Sequence, residues 1–208
     1  MPASDEELLA AWRGGDRHAG EALFERHYAP IARFFRNKVS GDASDLIQRT
    51  FLALVESRDR FRGDASFRTF LFAVAHNVLG RHYRQRRRDG DRLDFLAVSA
   101  HDLAPSPPAL RARQGEERLL LAALRRIPLD YQIALELYFW ERMTAAERAA
   151  VVGVPEGTAR TRLRRAKQLL ARALADLDAD PALVESTVSD LERWAAGVRD
   201  RLAAPGDP

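Results

Sequence analysis

Apolar residues recur at three- and four-residue spacing through almost the whole of this 208-residue chain, and no run shows the strict alternation or β-branched enrichment of a strand. That periodicity confines the chain to an all-α fold, and the helix ends divide it. Ser4 and Glu7 have the spacing of a capping box that opens a first helix. Asp16 can cap a second, which carries Leu23, Phe24, Ile31 and Phe34. A third starts near Ser44 with Ile47, Phe51, Leu54 and Val55 as its inward stripe. A fourth starts near Ser66, after the Gly63-Asp64 turn, and runs through Phe70, Leu71, Val74 and Val78 into basic residues. These four helices predict a first domain over residues 1–88.

From Asp89 the periodicity fails, and Gly90, Pro105, Ser106, Pro107 and Pro108 follow close together, the composition of a flexible linker over 89–114. Helical spacing returns at Leu119, Leu120, Leu124 and Ile127, breaks at Pro128 and resumes through Ile133, Leu137 and Tyr138. A second small domain is expected over 115–175, since the chain is long enough for two modest cores. Residues 176–208 hold eight acids against three arginines and carry one more helical stripe, Val184, Val188, Leu191, Ala195, Val198 and Leu202. This amphipathic C-terminal helix must bury its stripe somewhere. Either it folds back onto basic surfaces of the chain and restrains DNA binding, or it completes the second core or pairs two chains.

The formal net charge of +3 thus hides a more basic body. Its only lysines are Lys38 and Lys167, so the positive charge is almost all arginine, whose planar fork suits phosphates and base edges. A nucleic-acid partner leads the possible readings. The chain contains no cysteine, which excludes disulfides, thiolate metal sites and cysteine nucleophiles. His18, His27, His76, His82 and His101 lack metal-ligand spacing, and no phosphate loop or nucleophile elbow occurs, so neither a cofactor nor an enzyme is expected. The start, MPASDEELLAAWRGGD, is acidic where a signal peptide is basic, and no apolar run nears the ~20 residues of a membrane span. The expected location is the cytoplasm, without membrane insertion.

Three motifs carry the functional reading. Thr144 and Glu147 have capping-box spacing for a short helix ending at Gly153, and Pro155 suits the first position of the next. That next helix has Ala159, Leu163, Ala166 and Leu170 as its inner stripe. Arg160, Arg164, Arg165 and Lys167 lie elsewhere on it, and residues 160–172 hold six basic residues and no acid. A helix-turn-helix with a basic second helix suits a DNA major groove; a solvated basic face is the bland alternative. On the third helix, Asp45, Gln48, Arg49 and Leu52 share the outward face, where an exposed leucine among polar groups is either a docking spot or ordinary surface. In FRGDASFRTFLFAVAHNVLGRHYRQRRR, residues 61–88, aromatics precede Arg81, His82, Tyr83, Arg84, Arg86, Arg87 and Arg88. Rings beside arginines suit unstacked bases and their phosphates, although core packing accounts for most single rings.

In this order, DASDLIQRTFLALV, the 61–88 segment, a proline-bearing linker and IPLDYQIALELYFWERMTAAERAAVVGVPEGTARTRLRRAKQLL resemble an extracytoplasmic-function sigma factor of the sigma-70 superfamily over about residues 5–175. The resemblance implies a factor that binds RNA polymerase core and directs promoter-specific initiation. Asp45, Gln48, Arg49 and Leu52 would dock the polymerase clamp, and the second domain would contact the flap. Phe67, Arg68, Asn77, Arg81, His82, Arg84, Arg86, Arg87 and Arg88 would open and hold the minus-ten element of promoter DNA. Glu156, Thr158, Arg160, Thr161, Arg164, Arg165 and Lys167 would read the minus-thirty-five element. An anti-sigma factor is a further partner the resemblance allows. The family often has an acid at the position of Arg49, aspartate at Arg81 and tryptophan at Phe70. Arg148 stands where a buried aliphatic is usual, and is expected to reach solvent, DNA or an acidic partner. The rival readings are a stand-alone helix-turn-helix regulator, which would bind duplex DNA without directing initiation, and an adaptor that never touches DNA.

Overall fold

The computed structural model describes residues 3–40, 43–61, 63–86, 94–103 and 115–177. Among them every regular element is helical: α1 (Asp5–Arg13), α2 (Arg17–Arg36), α3 (Ser44–Ser57), a 3-10 turn (Arg58–Arg60), α4 (Phe67–Arg86), α5 (Ala100–Leu103), α6 (Gly115–Arg126), α7 (Leu129–Phe139), α8 (Ala145–Val152) and α9 (Glu156–Ala175). The ends have local causes. Ser4 and Glu7 close a capping box on α1, and the Asp16 carboxylate accepts from the His18 and Ala19 amides at the start of α2. Ser66 Oγ accepts the Thr69 amide at 3.2 Å, and Thr144 with Glu147 forms the capping box of α8. Gly153 ends α8 in the left-handed region at φ 67°, where a side chain is disfavoured. Pro155 is the residue before the first turn of α9 rather than within it. The extension from residue 178 and its stripe lie outside the described residues.

One apolar cluster gathers Leu9, Trp12, Leu23, Ile31, Phe34 and Phe35 with Leu46, Leu54, Phe67, Leu71, Phe72 and Leu79. It does not stop at the first domain: Leu129, Ile133, Leu137, Met143 and Val151 of the second belong to it. A smaller cluster joins Leu120, Leu124, Ile127, Leu135 and Trp140 to Ala166, Leu170 and Leu174. The reason lies in α7, whose LDYQIALELYF is apolar around most of its circumference and is therefore buried on both sides, one face in each cluster.

Part of the segment read as linker is folded. The amides of Leu129 and Asp130 donate to the carbonyls of Val98 and Phe95, both at 2.9 Å, and Ser99 forms an isolated antiparallel bridge with Pro128. Phe95 packs edge-on to His76 and Tyr83 of α4, and Arg125 donates to the Ala100 carbonyl at 3.0 Å. Residues 94–103 therefore strap the start of α7 to α4.

Charge also crosses between the domains. Lys38, wholly buried, donates to the Glu136 carboxylate and to the Phe34 carbonyl at 2.6 Å; Gln132 donates to the other Glu136 oxygen at 2.8 Å. Arg33 holds Glu141 at 2.7 Å and Arg68 holds its second oxygen at 2.5 Å. Arg125 donates to the Asn37 carbonyl at 2.8 Å. Burial pulls Lys38 down and pushes Glu136 up from their ordinary values, each opposed by the attraction of the other.

Candidate nucleic-acid and polymerase interfaces

On the described part of α9, Glu156, Thr158, Arg160, Thr161, Arg164 and Arg165 are all exposed. Ala159, Ala166, Leu170, Ala173 and Leu174 take the buried side, so the helix presents its arginines outward because its alanine and leucine positions are used for packing. Arg160 reaches back to Glu156 at 2.5 Å, an exposed i,i+4 pair that a phosphate can replace cheaply. Thr158, Thr161, Arg164, Arg165 and Gln168 line a shallow recess of about 320 Å³ beside Tyr131. Lys167 differs. It is half-buried and its ammonium lies 5.1 Å from the Tyr138 ring centre and 5.2 Å from that of Phe139, covering aromatic surface instead of joining the arginine face.

Arg148 is among the buried residues of α8. Its guanidinium donates to the Met143 carbonyl and lies 5.1 Å from the Tyr138 ring centre, and the residue is 5% exposed. Contrary to the expectation that it reaches solvent, the side chain is buried, and the acid that attracts it is Glu147 of its own helix. A carbonyl and a ring face are the partners, and burial draws the guanidinium below its ordinary value. Tyr138 thus contacts Arg148 and Lys167 both.

Along α4 the expected minus-ten residues separate into two groups. Asn77, Arg81 and Arg84 are exposed, and His82 is half-buried with its ring 5.1 Å from that of Tyr83. Tyr83 itself is buried, its hydroxyl donating to the Lys38 carbonyl. Phe67 is 1% exposed inside the first core with its ring centre 5.4 Å from that of His27 in a tilted contact, so it serves packing in this conformation, and Arg68 is held by Glu141. Arg86 ends the helix; Arg87 and Arg88 lie outside the described residues. Phe70, half-buried, pairs with Phe61 at 4.9 Å beside the loop that precedes α4.

On α3, Asp45, Gln48 and Arg49 are exposed and Leu52 is 54% exposed. Asp45 and Arg49 neutralise one another at 3.0 Å. Val55, expected to point inward, is exposed instead and joins Leu52, because the stripe of α3 that meets α2 and α4 is Leu46, Ile47, Thr50 and Leu54. Phe24, Tyr28, Ile47, Phe51, Leu52 and Val55 line an open apolar groove of about 510 Å³, with Gln48 at its rim. Tyr28 and the groove were missed from sequence; the signal available was Tyr28 lying one turn from Phe24 on α2. The buried ionic residues Arg33, Lys38, Glu136 and Glu141 were missed too. Their signal is a charge inside an apolar run, as in LELYFWE.

Folded this way, the molecule is a two-part helical protein with an outward basic helix-turn-helix, an arginine-bearing long helix and an uncovered apolar groove. Comparison with known proteins assigns the parts. Residues 23–89 match the family profile Sigma-70 region 2, and residues 117–170 match Sigma-70, region 4. The chain is 33% identical over 183 residues to the ECF RNA polymerase sigma factor SigM of Mycobacterium tuberculosis (strain ATCC 25618 / H37Rv), spanning 84% of this chain and 87% of that one. It is 28% identical over 177 residues to the ECF RNA polymerase sigma-E factor of Escherichia coli (strain K12), spanning 80% and 92%. Among solved structures it is similar to CnrH in complex with the cytosolic domain of CnrY, with TM-score 0.63 and 25% identity, over 84% of this chain and 99% of that one. The fold is shared as well by RpoE of Bartonella quintana in complex with the anti-sigma factor NepR, with TM-score 0.55 and 21% identity, over 74% and 98%.

The chain belongs to the extracytoplasmic-function sigma factors of the sigma-70 superfamily. Both regions are present in the order of an initiation factor, which sets aside the stand-alone regulator. Sigma factors are initiation factors rather than enzymes. No helix among the described residues is long and apolar enough to cross a membrane.

Proposed function

We propose that this chain binds RNA polymerase core and directs it to promoters, with its surfaces divided as follows. The groove of Tyr28, Phe51, Leu52 and Val55, rimmed by Asp45, Gln48 and Arg49, docks the polymerase clamp: an uncovered apolar patch bordered by charge is the surface a partner helix covers. The second domain meets the flap. Glu156, Thr158, Arg160, Thr161, Arg164 and Arg165 read the minus-thirty-five duplex from the exposed side of α9. Asn77, Arg81, His82 and Arg84, with Arg68, Arg86, Arg87 and Arg88, hold the minus-ten strand, and Phe67 supports that helix from within. Lys167 acts through the Tyr138 and Phe139 rings it covers.

The observation that carries this reading is the coexistence on one chain of an uncovered apolar groove on α3 and an uncovered arginine face on α9, in the two regions of a sigma factor. Work in the cytoplasm follows from the polymerase partner. A small regulatory protein that holds the factor, as CnrY binds CnrH, belongs to the same reading. Run-off transcription tests it: purified chain added to core polymerase yields discrete starts, and Leu52→Glu abolishes them by preventing co-purification with core. A chain that binds duplex DNA alone and never yields starts with core overturns the reading.

A further inference from the structure

Three cations of the first domain converge on two carboxylates of the second. Arg33 reaches one oxygen of Glu141 through Nη2 at 2.7 Å and Nε at 3.1 Å, Arg68 reaches the other through Nη2 at 2.5 Å, and Lys38 holds Glu136. Among the described residues, no acid of their own domain pairs with any of the three. Two guanidinium groups gripping one oxyanion from both sides, with an ammonium nearby, is the arrangement that binds a phosphate diester as well as a carboxylate. The Arg68 side chain is 34% exposed, so one edge of this cluster already meets solvent, and it lies on α4 with Asn77, Arg81 and Arg84.

The closed arrangement cannot be the one that works on a promoter. Elements centred roughly 25 base pairs apart lie about 85 Å apart along B-form DNA at ~3.4 Å per pair, whereas a compact chain of this length has a radius of gyration of about 17 Å. Here His76 of α4 and Asp130 of α7 are 3.8 Å apart, and the two domains share one apolar cluster. Separation strips Arg33, Lys38 and Arg68 of every acid they touch. At the same interface both polar atoms of the Asn37 side chain and Oε1 of Gln132 are buried without a protein partner.

We propose that Arg33, Lys38 and Arg68 form a seat for backbone phosphates of the promoter strand, and that Glu136 and Glu141 occupy this seat in the closed chain, so that closure and strand binding exclude one another. This rests on the sigma-factor reading above and adds to it a phosphate site and the acids that block it.

The test uses the full chain without polymerase. Because the chain contains no cysteine, Ala10→Cys and Ala175→Cys, both at exposed positions, accept a donor and an acceptor dye on the two domains. Titrating in a homothymidine oligonucleotide should lower energy transfer as the strand displaces the acids; transfer that stays unchanged across the titration overturns the proposal, by the reciprocity of linked equilibria. The double variant Glu136→Gln/Glu141→Gln should be open from the start and bind the oligonucleotide about tenfold more tightly. Adding Arg33→Ala/Arg68→Ala should leave it open, remove the gain and lower the salt slope of binding by about 1.4, at ~0.7 per phosphate contact on single strands. A gain that survives without the arginines, or opening with no gain, overturns the seat. Run-off transcription by the same preparation separates the two failures: starts with core but no strand-driven opening defeat only this inference, and no starts defeat the sigma-factor reading itself.

Discussion

Buried polar side chains set the behaviour of this chain at the scale of single residues. His27 donates from Nε2 to Asp5 at 2.7 Å, while its Nδ1 is buried without a partner. Burial lowers its pKa from the ordinary 6.5, against the pull of the Asp5 carboxylate. A depressed folded value means that the neutral ring stabilises the fold fully above the unfolded pKa, and that this contribution is lost as the pH falls through the folded value. The melting temperature should therefore drop between about pH 7.5 and pH 5, and His27→Gln should flatten that drop; a variant with an unchanged pH profile would show that other groups carry it. Arg148 makes the opposite case. Its partners are one carbonyl and one ring, so Arg148→Met should change unfolding free energy by no more than about 1 kcal/mol, whereas a loss above about 3 kcal/mol in urea denaturation would mean that the charge itself is required.

Close approach governs the elements. α1 lies on α2 where Gly20 has no side chain: a Cβ there would come within 2.7 Å of Trp12 Nε1, and Trp12 is 7% exposed with Phe24 edge-on at 5.4 Å. The rigid indole cannot yield as a flexible chain end could. Gly20→Ala should cost about 1–3 kcal/mol and loosen α1 first, seen as faster amide exchange at Leu9 and Trp12 than elsewhere; uniform loss of protection would place the effect in the whole core instead. Helix ends, by contrast, were readable from local chemistry. Ser4 with Glu7, Asp16, and Thr144 with Glu147 cap where their spacing said, because a cap depends only on residues three apart. Val55 was misread for the converse reason: which side of an apolar helix is covered depends on where α2 and α4 come to lie, and they leave Val55 open.

The whole molecule is held by an interface of unusual composition. α7 gives one face to each apolar cluster, so the two domains share a core rather than hang on a tether, and Lys38 with Glu136 sits inside that contact. Removing one partner of a buried pair leaves a charge with no counterion and typically costs about 3–5 kcal/mol, while replacing both by apolar groups is often neutral or better. Glu136→Leu should therefore lower the denaturant midpoint sharply, and Lys38→Met/Glu136→Leu should recover most of the loss. A double variant as unstable as the single would mean that packing around Glu136, not the pair, is what counts. The same interface explains how the site was only half legible. The arginine face of α9 followed from its periodicity, since alanine and leucine at the inner positions leave the arginines nowhere else to go. Lys167 escaped that rule because the rings of Tyr138 and Phe139 lie within its reach, and on α4 Arg68 was misjudged because an acid 73 residues away claims it.

By itself the sequence determined an all-helical chain, the positions of its caps and turns, the helix-turn-helix and its family, because each of these depends on residues within a turn or two of one another or on motifs in order. Only the tertiary structure decided that residues 94–103 strap one domain to the other, that Arg148 settles on a ring, that Tyr28 and Val55 open a groove beside Leu52, and that Glu136 and Glu141 fill the space between Arg33, Lys38 and Arg68. Those contacts join residues that are mostly far apart in the chain, and desolvation, which no local pattern records, sets their energies.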